Sequence, residues 1–154
     1  MNHMKIPLLF ATERFDDLED YLPWCEVYEL DQEAELALQP EVRLVLGGRG
    51  LGVALPAQKS YFYVSSIDIQ ARIKAGRRGE LARACLGNKD SMLVLDAFAG
   101  FGVDGLTLAG LGADVTLVER NLVVWLMLRS IACGHPRVAI NHADSSNLFH
   151  SGAV

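Results

Sequence analysis

Three acidic residues and one glycine-rich turn carry the chemical signal of this chain. In Asp96-Ala97-Phe98-Ala99-Gly100-Phe101-Gly102-Val103-Asp104 a carboxylate precedes two closely spaced glycines. Glycine lets a backbone turn sharply and approach a ligand closely. Glu119 follows that turn and Asp144 follows Glu119, and each of the three acids stands at or just past the end of an apolar run. A carboxylate accepts hydrogen bonds and holds none to give, so acids so placed suit the hydroxyl and ammonium groups of a bound small molecule.

The elements that must position these residues are legible nearby. Met92-Leu93-Val94-Leu95 is a continuous apolar run of the kind a parallel sheet buries on both faces. A helix is expected over Asp104–Leu111, stopped by Gly112, and Val115–Val118 is the next strand, ending in Glu119. A second helix spans Leu122–Ala132, with Gly134 and Pro136 as its stop, and Val138–Asn141 is a third strand ending near Asp144. Strand, helix, strand, helix, strand with short connections is an α/β fold with a parallel, doubly wound sheet. Ligands in such sheets sit at the C-terminal ends of the strands, which is where the three acids fall.

Two cofactor classes use that place differently. Gly100-Phe101-Gly102-Val103-Asp104-Gly105 is G-x-G-x-x-G, and with Glu119 it matches the nicotinamide dinucleotide fingerprint. That fingerprint sets its first glycine almost directly after the strand, which would bury Asp96 unpaired inside the sheet at high cost. A strand ending at Leu95 instead leaves Asp96 and the wider turn through Gly102 facing a sulfonium cofactor, with a carboxylate near its ammonium group. S-adenosylmethionine-dependent methyltransferases have that arrangement.

Upstream, residues 1–65 read as a small, mostly β subdomain. Val42–Leu46 is a strand, Gly47–Gly52 a turn or hairpin loop, and Ser60–Val64 a second strand. Pro56 and the extended pattern of Val53–Pro56 leave the Gly47–Gly52 loop without the helix that a phosphate cradle needs. Residues 66–91 form a basic helical connector, interrupted at Ala75-Gly76-Arg77-Arg78-Gly79 and closed at Gly87-Asn88. Arg72, Lys74, Arg77, Arg78 and Arg83 face a single acid, Glu80, over that stretch, a candidate phosphate-contacting stripe whose alternative is a solvated helix face.

Length and composition bound the rest. The chain has 154 residues, one ordinary domain, with 51% hydrophobic and 21% charged residues, ample for a core. Its net charge of −5 is local, because residues 13–41 hold eleven acids and one base. No apolar run approaches the roughly 20 residues of a membrane span. The start Met1-Asn2-His3-Met4-Lys5 lacks the features of a secretory signal, so a cytoplasmic protein is expected. Cys25, Cys85 and Cys133 form no C-x-x-C pair and read as buried thiols, and no histidine spacing suggests a metal.

Taken with Glu119-Arg120-Asn121 and the glycine-arginine stretch Gly76–Glu80, the Asp96–Asp104 motif resembles the J-type bacterial 16S ribosomal RNA methyltransferases, which modify a guanine exocyclic amine. The resemblance covers roughly residues 60–149 and is strongest over 92–132. It implies an S-adenosylmethionine site lined by Asp96, Phe98, Gly100 and Gly102. It implies also that Glu119 holds the ribose hydroxyls beside Arg120, that Asp144 with Ser145 lies beside the adenine, and that Arg72, Lys74, Arg77 and Arg78 face RNA.

Two departures stand out. Leu122 replaces the proline that follows Glu-Arg-Asn in the family, and no Asp-Pro-aromatic motif, which holds the guanine amine there, occurs in this chain. The expectation is therefore an incomplete Rossmann-like methyltransferase sheet of about three strands over residues 92–154, similar to the N-terminal portion of the family. The partners implied are 16S rRNA or the small ribosomal subunit, with self-association through an uncovered sheet edge. The rival readings are a cofactor- or RNA-binding module without an acceptor site, and a nicotinamide-dependent oxidoreductase.

Overall fold

The computed structural model describes residues 5–11, 18–29, 33, 41–89 and 91–147. The chain divides into two compact units, residues 1–64 and 65–154.

The N-terminal unit is built on one sheet. Its strands are β1 (Ile6–Ala11), β2 (Cys25–Tyr28), β3 (Arg43–Gly47), β4 (Gly50–Ala54) and β5 (Phe62–Tyr63), in the order β2-β1-β3-β4-β5. The β1 strand runs parallel to both β2 and β3, while β3, β4 and β5 are antiparallel. The Gly47–Gly52 loop is tighter than its sequence suggests. Gly47 pairs with Gly50, so only Gly48 and Arg49 form the turn, and Gly50 and Gly52 belong to the strand. The expected strand over Ser60–Val64 contracts to Phe62–Tyr63. Leu9 and Val45 form a small core against Tyr28, Tyr61 and Tyr63.

In the C-terminal unit, helix α1 (Ser66–Ala75) opens on a Ser65 cap whose side chain accepts from Asp68 N. A single 3-10 turn (Gly76–Arg78) follows, then helix α2 (Glu80–Cys85). Strands β6 (Leu93–Asp96), β7 (Asp114–Glu119) and β8 (Val138–His142) form a parallel sheet in the order β6-β7-β8, with helix α3 (Val103–Gly110) between the first two and α4 (Leu122–Ala132) between the last two. The five alternating elements match the expected pattern, with boundaries shifted by a residue or so.

The largest described core cluster of this unit gathers on the helix side of the sheet, and Val118, which alternates with Leu117, is buried as well. Ile69, Ala82 and Leu86 join Leu106, Ala109, Val115, Leu117 and Leu128, with Val94, Val138 and Ile140 packed against them. Residues 66–91 thus contribute to the same core as the sheet. Gly105 permits the close approach of α3, since a Cβ there would collide with Leu117. The apolar run at Met92–Leu95 departs from the expectation of burial on both faces: Val94 is half-buried, whereas Leu93 and Leu95 are exposed.

All three cysteines are free, and only Cys25 is buried, which pushes its thiol up to about 11. Cys133, expected inside, is exposed because it terminates α4. No helix of the described residues is long and apolar enough to cross a membrane.

Candidate functional site

The three strand ends are tied to one another by hydrogen bonds. After β6 the chain crosses the end of β7, where Ala99 N donates to Val118 O at 3.0 Å. Gly100 N then donates to Glu119 Oε2 at 3.1 Å, and Asn121 N donates to Glu119 Oε1 at 2.6 Å. One carboxylate therefore gathers the glycine turn and the start of α4. Ala143 N donates to the backbone carbonyl of Glu119 at 3.1 Å, which ties the chain just after β8 to the end of β7.

Local chemistry explains each position. Gly100 and Gly102 both have positive φ, 52° and 75°, a region where a side chain is strained. At Gly102 a Cβ would also collide with Leu128. Asn121 caps α4, its Oδ1 accepting from Val123 N and Val124 N at 3.0 and 3.2 Å. The cap fixes where Glu119 and Arg120 leave the strand.

Asp96 requires a correction to the sequence reading. It is the last residue of β6, in register with Leu117, rather than the first residue beyond the strand. Its carboxyl group lies on the helix-covered side near Gly105 and accepts from Phe98 N at 3.3 Å. A strand-end position leaves it half-buried, so a carboxylate is tolerated there. Burial raises its pKa above the usual range, Phe98 N–H opposes this, and the nearby Asp104 and Glu119 charges raise it further. Four residues still separate Asp96 from Gly102's neighbour Phe101, so the turn is wider than the nicotinamide fingerprint requires.

Asp144 is more open, and its Oδ1 accepts from Ser146 N at 3.0 Å. Hydrogen bonds from the Ser146 side chain and backbone, with Arg120 nearby, hold its pKa below the usual range. The Arg120–Asp144 ion pair is long, 3.9 Å, and both side chains are well exposed. Ser145 is buried. Phe98 stands 83% exposed on the turn, free of any core role.

The basic residues separate into two groups. Arg72 pairs with Asp104 at 2.6 Å, and Arg77 donates to the carbonyls of Lys89 and Leu111, at 2.5 and 3.5 Å. Those two are occupied with the unit's own structure. Lys74, Arg78 and Arg83 are exposed, and no ion pair joins them to a described residue.

Sequence reasoning passed over His142. It lies in register with Glu119, its Nε2 is 3.0 Å from Arg120 O, and its ring is 5.0 Å from that of Trp125. The signal available was its place at the end of the third strand; histidine spacing had been weighed only for metal binding.

The donor set fits S-adenosylmethionine on chemical grounds. Each Glu119 oxygen has a lone pair beyond the backbone donor it already accepts from, as ribose hydroxyls require. Asp96 offers a carboxylate beside the glycine turn, of the kind an ammonium requires, and Asp144 lies just past the next strand end.

Comparison with known proteins agrees. Residues 30–143 match the model of the SAM_MT family, SAM-dependent methyltransferases. The chain is 37% identical over 136 residues to ribosomal RNA small subunit methyltransferase J of Pasteurella multocida, covering 82% of this chain and 52% of that protein. It is 37% identical over 137 residues to the protein of the same name from Thioalkalivibrio sulfidiphilus, covering 83% and 52%. The chain thus spans about half the length of the curated relatives it matches. Its fold is similar to the crystal structure of a SAM-dependent methyltransferase from Neisseria gonorrhoeae, with a TM-score of 0.66 and 22% identity, covering 96% of this chain and 64% of that one. With a family match across most of its length and the strand-end acids in place, the chain belongs to the SAM_MT family of SAM-dependent methyltransferases.

Proposed function

We propose that this chain is the cofactor-binding part of an S-adenosylmethionine-dependent methyltransferase acting on a guanine exocyclic amine of small-subunit rRNA. The observation that carries the cofactor half is the Glu119 carboxylate, which joins the Gly100 turn to the end of β7. When bound, S-adenosylmethionine supplies a methyl group activated by the positive charge on sulfur. Glu119 accepts from the ribose hydroxyls, Asp96 faces the ammonium, and Asp144 borders the adenine. Gly100 keeps the turn free of a side chain where the cofactor must approach, and Gly102 lets the turn pack against Leu128. Phe98 and Arg120 flank that space.

The rRNA substrate rests on the resemblance at Asp96–Asp104, Glu119–Asn121 and Gly76–Glu80 and on the names of the curated relatives. Lys74 and Arg78 are the members of the basic stripe free to meet phosphate, with Arg72 available by exchange from its exposed pair with Asp104. Arg77 acts by fixing the turn that presents them. The setting is the cytoplasm, where small-subunit rRNA is made. Self-association through the β6 edge, where β7 is the strand's one partner among the described residues, is the protein contact proposed beside RNA.

No Asp-Pro-aromatic motif occurs among residues 1–154, so the proposal assigns no acceptor residue. Calorimetric titration tests the cofactor half. S-adenosylhomocysteine should bind the 154-residue chain and NAD should not; tighter binding of NAD would sink the cofactor assignment. Tritiated-methyl transfer to small-subunit rRNA by the chain alone should be negligible, since acceptor positioning contributes roughly 7–11 kcal/mol to such reactions. Robust turnover would place the acceptor site within residues 1–154.

A further inference from the structure

One surface ion pair joins the basic helix to the cofactor turn. Arg72, in the last turn of α1, meets Asp104, in the first turn of α3, at 2.6 Å, and the two side chains are 53% and 61% exposed. The helices that carry them are fixed against each other. Ile69 is buried in the core that α3 shares, and a Cβ at Gly110 would collide with Ile73, so α1 lies close on α3 and brings Arg72 to Asp104.

Asp104 belongs to the cofactor turn by position and by charge. It stands two residues past Gly102, and a Cβ at its neighbour Gly105 would lie 3.3 Å from Asp96 Oδ2. The charges of Asp104 and Glu119 both act on Asp96. Three carboxylates therefore share this turn, and among the described residues Arg72 is the one cation in an ion pair with any of them.

We propose that Arg72 sets the preference of this turn between S-adenosylmethionine and S-adenosylhomocysteine, and that RNA phosphate drawing Arg72 off Asp104 raises the preference for the methylated form. The proposal deepens the reading above and rests on it for both the cofactor and the RNA. The two molecules share a carboxylate and an ammonium, and only the methylated one adds the positive charge of a sulfonium. With Arg72 on Asp104, part of the negative field of the turn is cancelled. With Arg72 on a phosphate, all three carboxylates act on the site and favour the form that carries the additional charge.

The exchange itself is chemically easy. A guanidinium matches phosphate and carboxylate alike, and an exposed pair costs little to break. Arg72 shares the last turn of α1 with Lys74, so RNA contact and the ion pair compete for one side chain. Linkage makes the effect reciprocal: RNA tightens the sulfonium form relative to its product, and the sulfonium form tightens RNA by the same factor. A pair that served only to hold α1 on α3 would behave differently. Its loss would weaken both molecules alike and leave their ratio unmoved.

Calorimetry on the 154-residue chain at low salt, about 50 mM NaCl, measures the ratio of the S-adenosylhomocysteine Kd to the S-adenosylmethionine Kd. Arg72→Ala should raise that ratio about two- to fivefold, the reach of one exposed charge, and Arg72→Lys, which keeps the charge, should give the parent ratio. Arg137→Ala removes a similar exposed pair, with Asp114 at the opposite end of the sheet, and should leave the ratio unchanged. A saturating 20-nucleotide single-stranded RNA should raise the ratio at least twofold in the parent and less than 1.5-fold in Arg72→Ala. At 500 mM NaCl the differences between variants should vanish. A ratio unmoved by Arg72→Ala, an equal rise in Arg72→Lys or Arg137→Ala, or an equal RNA effect on parent and Arg72→Ala would each overturn the proposal. A parent chain that binds neither cofactor form refutes the cofactor reading and the proposal together, and one that binds both forms but no RNA refutes the RNA reading and the exchange.

Discussion

Two glycine-rich turns, Gly47–Gly52 and Gly100–Gly105, look alike in sequence and end as opposite structures. In the first, β4 follows at once and the glycines serve a hairpin: Gly52 stands opposite Tyr63, whose ring occupies the space a Cβ would need, and Arg49 lies over that ring at 4.3 Å. In the second a helix follows, and the glycines serve a bend at a strand end. Gly100 and Gly102 take positive φ, and Gly105 lets α3 press against Leu117. The lesson is that a glycine spacing acquires meaning from the element after it. An extended continuation yields a turn between strands, and a helical one yields a cradle beside carboxylates.

Substitutions can break this contrast, the largest effect first. Gly105→Val should cost about 3 kcal/mol by overpacking α3 against Leu117, lowering Tm by roughly 6–12 °C and removing cofactor binding. A melting curve within 2 °C of the parent would show that α3 does not depend on close approach there.

Glu119→Ala should weaken S-adenosylhomocysteine by about 1–3 kcal/mol, because it removes a charged acceptor and frees the Gly100 and Asn121 amides. Calorimetry checks this, and equal affinity of variant and parent would refute the role given to Glu119.

A paired substitution sharpens the comparison itself. Gly102→Ala should cost about 1–2 kcal/mol through its positive φ and Leu128, and should reduce cofactor affinity. Gly52→Ala, with ordinary φ, should cost about 1 kcal/mol by displacing the Tyr63 ring and leave cofactor affinity unchanged. Equal effects on affinity would mean that the two turns are not functionally distinct.

Asp96 links the cradle to pH. Because its folded pKa is raised, the native state holds this proton more tightly than the unfolded chain. The stability this contributes is therefore present at low pH and lost as pH rises through the raised value. Asp96→Asn should melt progressively higher than the parent as pH is taken from 4 to 7, while binding S-adenosylhomocysteine more weakly. Unchanged binding would remove Asp96 from the site.

The smallest effect is expected in the hairpin. Arg49→Ala removes the cation–π contact and should cost about 0.5–1 kcal/mol, read from denaturant midpoints, with no change in cofactor affinity.

The sequence by itself determined the alternation of β6, α3, β7, α4 and β8, because apolar periodicity and helix stops at Gly112 and Gly134 are local signals. It determined also that Asp96, Glu119 and Asp144 fall at strand ends, since a parallel α/β order leaves them nowhere else. Only the tertiary structure decided how those residues are used. Glu119 reaches an amide 19 residues away, and Arg77 is drawn to the carbonyls of Lys89 and Leu111, contacts that no local pattern encodes. The pairing of β1 with both β2 and β3 is likewise set by partners distant in the chain. The apolar run of β6 states that both of its faces favour burial; that Val94 is covered while Leu93 and Leu95 are bare follows from α3 and α4 both reaching the sheet from one side.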